Sequence, residues 1–446
     1  MMKIISILFL ALFFISIFFL FKDVKSISIV YFLFGSLSIF SAAIYIQIHL
    51  FSKFKKAKKL KKYPSISIII PNYSSSKTIA KCLKSIFNLK YPRKFEVILV
   101  DDGSTDNSVE IAKCIYNDMK KNGIDKKINF KIIKNEKNIG KAASLNKGMK
   151  LTSAEVVACI DSDTYPRRDV LIKMVPYLYE SEDTIAVTGF VIANEPKTLI
   201  QKVQELEYYG AFGFAPRMMA NINGILTIPG PMSILKRKKV IEFGGFDEKN
   251  LTEDMEMGLK IHKNYGRIAY CPDAIIPTEV PDTIRKLYRQ RIRWYRGTIF
   301  NLKKYHSMML NPEYEDFGLF SYPSCFFYVV FIILTFTILG YHIIKDIIFK
   351  SQIILSGIGM YSLEYFRYLD WGSLPIIFNS SFLVFFFVFL GLWIYYLYYS
   401  MKQAKVKIKK EHVPAIGFAI LIYPTLISIF YIISFIKELI GSESVW

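Results

Sequence analysis

The sequence predicts an α/β domain, with a mostly parallel sheet covered by helices, joined to an α-helical transmembrane region. Two observations predict it: short β-rich apolar runs alternate with amphipathic helical ones through the middle of the chain, and apolar stretches long enough to span a bilayer flank that block. With 52% hydrophobic and 16% aromatic residues and a mean hydropathy of +0.29, the 446-residue chain is too apolar for an ordinary soluble enzyme. At 21% charged residues it is too polar to lie wholly in lipid, so the two characters must be segregated along it. The formal charge of +21 suits anionic partners such as headgroups or nucleotide phosphates. Basic residues crowd beside the apolar runs and no aromatic-basic recognition motif occurs, so the bilayer is an expected partner and nucleic acid is not. Cys82, Cys114, Cys159, Cys271 and Cys325 show no metal-ligand spacing and read as reduced, mostly buried thiols.

Five stretches reach the roughly 20 apolar residues a span requires: 4–21, 27–51, 318–344, 374–399 and 413–437. The first is no signal peptide on this reading, because its core is long and no small-residue cleavage site follows Phe21. The densest basic runs are 53–62 (KFKKAKKLKK) and 402–410 (KQAKVKIKK). Basic flanks mark the cytoplasmic side, which places the central region in the cytoplasm. Lys345, Lys350 and Arg367 fall on the outer side in that scheme. The aromatic segment 351–373 reads as an interfacial or outer element. The expected division is a membrane hairpin over 1–52, a cytoplasmic domain over 53–300 and a C-terminal membrane region over 301–446.

Within the central region strands are expected at 65–71 (SISIIIP), 95–101 (FEVILVD), 129–134 and 156–161 (VVACID). Helices are expected at 78–88, 107–121, 141–150 and 168–180. In open α/β sheets ligands bind beyond the carboxyl ends of the strands, where Asp101-Asp102-Gly103-Ser104 and Asp161-Ser162-Asp163 stand. No G-x-G-x-x-G follows the first strand and no GxxxxGK[ST] occurs, which disfavours dehydrogenases and P-loop NTPases.

Asp161 and Asp163 flank one residue at a strand end, so both carboxylates can share a hard cation, Mg²⁺ or Mn²⁺; the alternative is a turn former. Asp101 and Asp102 either form a turn capped at Asp106 or Asn107, or accept hydrogen bonds from a nucleobase or ribose. In 135–146 (NEKNIGKAASLN), Lys141 opens a helix, a place favourable to phosphate, or is a solvated charge. Thr252 is a natural cap for the helix that Glu253 and Asp254 open, and Asp254 is a candidate to deprotonate an acceptor hydroxyl. Gln290, Arg293 and Trp294 lie in a basic helix, 283–297 (TIRKLYRQRIRWYRG). That helix either rests on the membrane surface or offers Arg293 to a diphosphate and the Trp294 face to a sugar.

Taken together, VDDGSTD, NIGKAASLN, DSD, GGF (Gly244-Gly245-Phe246), TED and QRIRW resemble glycosyltransferase family 2, in its membrane-integrated branch of hyaluronan, chitin and cellulose synthases. The resemblance covers about residues 64–300 and the flanking spans. It implies a GT-A-type fold and an inverting, metal-dependent transfer from a nucleotide-diphosphate sugar, commonly a UDP-sugar, to a growing polysaccharide. The alternative acceptor is a lipid that takes a single sugar: a polyprenyl phosphate, diacylglycerol or sphingolipid. A non-catalytic membrane scaffold is a lesser alternative. By the same resemblance Asp101 and Asp102 would contact the base, Lys141 the phosphates, and Asp161 and Asp163 the metal. Asp254 would be the base, Gln290 and Arg293 would line the donor side, and Glu253 and Trp294 the acceptor side. The chain departs from the commoner family pattern at Pro71-Asn72-Tyr73-Ser74, where the family more often has Tyr-Asn-Glu after the proline.

Overall fold

The computed structural model describes residues 56–330 except 122, residues 380–441 except 405 and 407–409, and the isolated positions 48, 332, 333, 344, 348 and 351. The expected spans at 4–21 and 27–51, all but Ile48, and the segment 351–373, all but Ser351, lie outside the described residues.

Four strands alternate with four helices in the first half. They are β1 (Ile66–Asn72), α1 (Ile79–Phe87), β2 (Phe95–Asp101), α2 (Ser108–Lys121), β3 (Ile128–Lys134), α3 (Lys141–Leu151), β4 (Val156–Ile160) and α4 (Val170–Met174). After α4 the chain tightens into a 3-10 turn, Val175–Tyr179, because Pro176 has no N–H to continue an α-helix. The expected single helix over 168–180 is therefore two short pieces. The second half adds β5 (Thr184–Ala193), α5 (Leu199–Tyr208), a π-helical turn (Tyr209–Phe214) and α6 (Ala215–Asn221). It continues with β6 (Met232–Lys236), α7 (Arg237–Glu242), α8 (Glu253–Lys263), β7 (Arg267–Thr278) and α9 (Ile284–Lys304).

The sheet runs β3-β2-β1-β4-β6-β5-β7. It is parallel except at β6, which is antiparallel to both neighbours. Alternate residues feed opposite faces: Ile69 packs with Leu145 and Met149 of α3, whereas Ile68 and Ile70 pack with Leu83 and Ile86 of α1. Helices thus cover both faces of a mixed, mostly parallel sheet, as expected of a GT-A-like fold. The approach of α3 is close: a β-carbon at Gly148 would lie 2.5 Å from Ile69 Cγ2.

Beyond α9 the chain continues as α10 (Ser380–Ala404), α11 (Val413–Leu421) and α12 (Tyr423–Leu439). Among the described residues no single helix is long and apolar enough to cross a membrane. The stretch expected as one span at 413–437 is instead the pair α11 and α12, bent by 47°, which passes that test only together. Pro424 accounts for the break, since it cannot donate to the preceding turn and its ring clashes with it.

Candidate active site

The antiparallel β6 shapes the site. Because it runs against β4, its start lies beside the end of β4, and the Asp161 amide donates to the Pro231 carbonyl at 3.3 Å. Gly230, one residue earlier, is thereby brought to the centre of a charged cluster. A β-carbon there would sit 2.7 Å from Lys141 Nζ, 3.1 Å from Asp161 Oδ2 and 3.7 Å from Asp254 Oδ2. Lys141, the first residue of α3, donates to Asp161 Oδ1 at 2.6 Å and to Glu253 Oε1 at 3.0 Å. The same cluster lines a small pocket together with Leu145, Cys159, Ser233, Leu235 and Phe246.

Asp254 is held by two backbone amides: Gly230 donates to its Oδ2 at 3.2 Å and Met255 to its Oδ1 at 2.8 Å. Burial, then the charge of Glu253, pushes its carboxyl up to about 6 against the pull of Lys141 and Arg293. Burial works on Glu253 in the same sense, but Lys141 and Arg293 outweigh it and hold that carboxyl below its ordinary value. Lys141 is the mirror case: burial disfavours its charge, while Asp161, Glu253 and Asp254 raise its ammonium above the usual range. Asp163, half-buried, is raised by burial and by neighbouring Asp161. Its Oδ1 lies 3.5 and 3.4 Å from the hydroxyls of Thr164 and Thr278.

Asp101 and Asp102 are each 3% exposed. Asp101 Oδ1 accepts from Asn72 Nδ2 at 3.0 Å. Asp102 accepts from Asn135 Nδ2 and the amides of Ile139 and Gly140 at 2.8 to 2.9 Å, so it fixes the loop that leads into Lys141. Asp106 is the cap the sequence suggested, accepting from the Ser108 amide at 3.1 Å. Thr252 is not: no side-chain cap bond forms, because its hydroxyl instead accepts from Asn301 of α9 at 3.0 Å. Gly297 lets α9 pack there, since a β-carbon would lie 2.2 Å from Thr252 Oγ1. The cysteines divide: Cys82, Cys159 and Cys271 are buried, Cys325 is intermediate and Cys114 is exposed on α2.

On α9, Arg293 Nη1 donates to the Leu251 carbonyl at 3.0 Å, which sets its charge beside Glu253 and Asp254. Gln290 faces the Tyr208 hydroxyl, and its Oε1 is buried without a hydrogen-bond partner among the described residues. Trp294 is partly buried against the core on both sides of the sheet, with the Arg291 guanidinium 4.3 Å from its ring centre. Two participants carried no strong sequence signal. Gly230 stands outside the motifs named above, and Asn146 grips the GGF loop by accepting from the Phe246 amide and donating to its carbonyl, both at 2.9 Å.

Residues 156–433, more than half of the chain, match the family described as glycosyl transferase family group 2, and residues 67–244 match glycosyl transferase family 2. Poly-beta-1,6-N-acetyl-D-glucosamine synthase of Staphylococcus epidermidis is 35% identical over 232 residues, 52% of this chain and 54% of that protein. The protein of the same description from Staphylococcus aureus strain COL is 32% identical over the same shares. The chain spans about half the length of the curated relatives it matches. The mannosyltransferase PcManGT from Pyrobaculum calidifontis, solved with GDP-Man and Mn²⁺, is alike in fold: TM-score 0.57 over 99% of this chain and 100% of that one, at 16% identity. From the extent of the family match the conclusion is direct: this chain is a glycosyltransferase and belongs to glycosyl transferase family group 2.

Proposed function

We propose that the protein transfers N-acetylglucosamine with inversion from a UDP-linked donor to a growing polysaccharide at the cytoplasmic face of a membrane. One observation carries this reading: Lys141, Asp161 and Asp254, from three separate parts of the chain, converge on Gly230 beside the carboxyl end of β4, and Glu253 joins them through Lys141. The choice of sugar and polymer is supported by the description of the staphylococcal relatives. The membrane division proposed is the one expected from sequence: 1–52, 53–300 and 301–446.

Asp254 acts as the base. Two amides fix its carboxylate, and a proton affinity set at about 6 leaves it ionised at neutral pH yet more basic than an ordinary carboxylate. It takes the proton of the acceptor hydroxyl as that oxygen attacks the anomeric carbon. Attack opposite the departing diphosphate inverts the centre. Lys141 meets the charge that develops on the diphosphate, at the N-terminus of α3 where backbone amides add to its effect. Asp101 and Asp102 shape the base site, Gln290 and Arg293 close the donor side, and Glu253 and Trp294 face the acceptor.

Asp161 and Asp163 suit a divalent cation, Mg²⁺ or Mn²⁺, by their hard oxygen donors. Among the described residues no cluster of three or more metal-ligating side chains occurs, so phosphate oxygens and water would complete the coordination. Such a cation supplies charge neutralisation to the leaving diphosphate.

The test is the purified chain in lipid with radiolabelled UDP-N-acetylglucosamine, UDP-glucose and GDP-mannose, read by product mass. A high-mass ladder from UDP-N-acetylglucosamine is expected. A single extractable glycolipid replaces the polymer reading with the lipid-acceptor one, and a product from another donor overturns the choice of sugar.

A further inference from the structure

Within the run Gln290-Arg291-Ile292-Arg293-Trp294, Arg291 has no part in the chemistry above, yet it is the most deeply buried of its charged residues, at 2% exposure. Its Nη2 donates to Glu207 Oε2 on α5 at 2.6 Å. The Tyr423 hydroxyl, at the start of α12, donates to the same oxygen at 2.7 Å and lies 3.4 Å from Nη2. The guanidinium also lies over the Trp294 ring, at 4.3 Å from its centre.

This is a poor way to gain stability. A buried ion pair loses to desolvation much of what it gains from attraction, and apolar residues of similar volume often serve as well. Arg291 Nε has no hydrogen-bond partner among the described residues, so the pairing there is incomplete. What the arrangement does supply is orientation. A planar guanidinium fixed by a carboxylate at one end offers a flat cation to an indole face, and that contact restrains the ring. The carboxylate is itself fixed by Tyr423, so the restraint reaches the bent pair α11 and α12. Two further contacts join the same parts: Arg296 Nε donates to Glu438 Oε2 at 3.2 Å, and His412 Nε2 lies 3.4 Å from Glu205 Oε2.

We propose that Arg291 is a positioning residue that sets the plane of Trp294 for the acceptor sugar and, through Glu207 and Tyr423, makes that plane depend on the seating of the C-terminal helix pair. The proposal rests on the reading of Trp294 as an acceptor-side residue. Its consequence is that acceptor engagement is sensitive to α11 and α12 while donor binding is not.

The experiment uses the full chain in lipid nanodiscs, UDP-N-acetylglucosamine as donor and a β-1,6-linked N-acetylglucosamine oligosaccharide as acceptor. UDP affinity is measured separately by calorimetry. Arg291→Met is expected to raise acceptor KM about tenfold with UDP affinity within about twofold of the parent, Arg291→Lys to recover part of the loss, and Tyr423→Phe to raise KM about threefold. Tyr423→Phe should add nothing to Arg291→Met, because both act through one contact. Unchanged acceptor KM in Arg291→Met and Tyr423→Phe overturns the proposal, as does a parallel loss of UDP affinity, which marks a merely structural role. If Arg291→Met does not fold, Tyr423→Phe decides alone, since it removes only a hydroxyl. Trp294→Ala separates the two levels: if it leaves acceptor KM unchanged, the acceptor-side reading fails and takes the proposal with it. If it raises KM while the other variants do not, only the role of Arg291 is lost.

Discussion

Lys141 Nζ and Asp161 Oδ1 lie 2.6 Å apart, so the ammonium at the head of α3 neutralises the carboxylate at the end of β4. Glu253 shares the same ammonium at 3.0 Å. Removing Lys141 leaves carboxylates crowded in a half-buried cleft without their counter-charge, the costly way to break such a pair. Lys141→Met should therefore weaken UDP binding by about tenfold or more, an effect of the size expected for one lost charge-assisted contact. Calorimetry with UDP checks it, and affinity equal to the parent's would remove Lys141 from the diphosphate site.

Asp254→Asn preserves shape and leaves one side-chain oxygen to accept from Met255 or Gly230, but not both, while removing the basic carboxylate. Transfer should fall about 10²- to 10⁴-fold, the usual worth of a positioned base, with donor affinity little changed. Initial rates with saturating donor provide the measurement; ordinary turnover by this variant sinks the assignment.

Gly230→Ala tests the convergence itself. The new β-carbon would meet Lys141 Nζ at 2.7 Å and Asp161 Oδ2 at 3.1 Å, both ends of side chains that can swing away. The fold should survive with its melting temperature near the parent's, whereas transfer drops by about tenfold or more because small misplacements of reacting groups are costly. A parent-like rate would show that the cluster tolerates displacement and is not the reaction centre.

His262 gives stability a pH dependence. Its ring stacks on Phe317 with centroids 3.7 Å apart, and its Nε2 is 2.8 Å from the Ile225 carbonyl. Burial holds the imidazole down at about 4, from an ordinary 6.5. The unfolded chain thus binds the proton more readily between those values. The contribution is fully present above about pH 6.5, is lost as pH falls through that window, and amounts in all to about 3 kcal/mol. Denaturation of the solubilised chain at pH 7.5 and pH 5 should show about 2 kcal/mol of this lost at the lower pH, a difference that shrinks in His262→Gln. Equal pH sensitivity of parent and variant would exclude His262 as its source.

Local pattern determined much of this molecule. Apolar runs such as ISIIIPN and FEVILVD can bury both faces only inside a covered sheet, so β1 to β4 stand within a residue or two of where the chain itself places them. The acidic pairs at the ends of β2 and β4 were legible for the same reason, because a strand end in such a sheet faces the ligand crevice. The tertiary structure alone decided the rest. Nothing local distinguishes β6 as antiparallel, yet that reversal is what brings Gly230 to Asp161. Thr252 has the residue type of a cap, but Asn301 of α9 claims its hydroxyl. Arg291 reads as one more cation on a basic helix until Glu207 and Tyr423 close around it. Hydrophobic periodicity is a property of neighbours along the chain, and so is written in it. The sharing of one carboxylate or one ammonium among distant segments depends on which surfaces meet and what they desolvate, and exists only once the chain has folded.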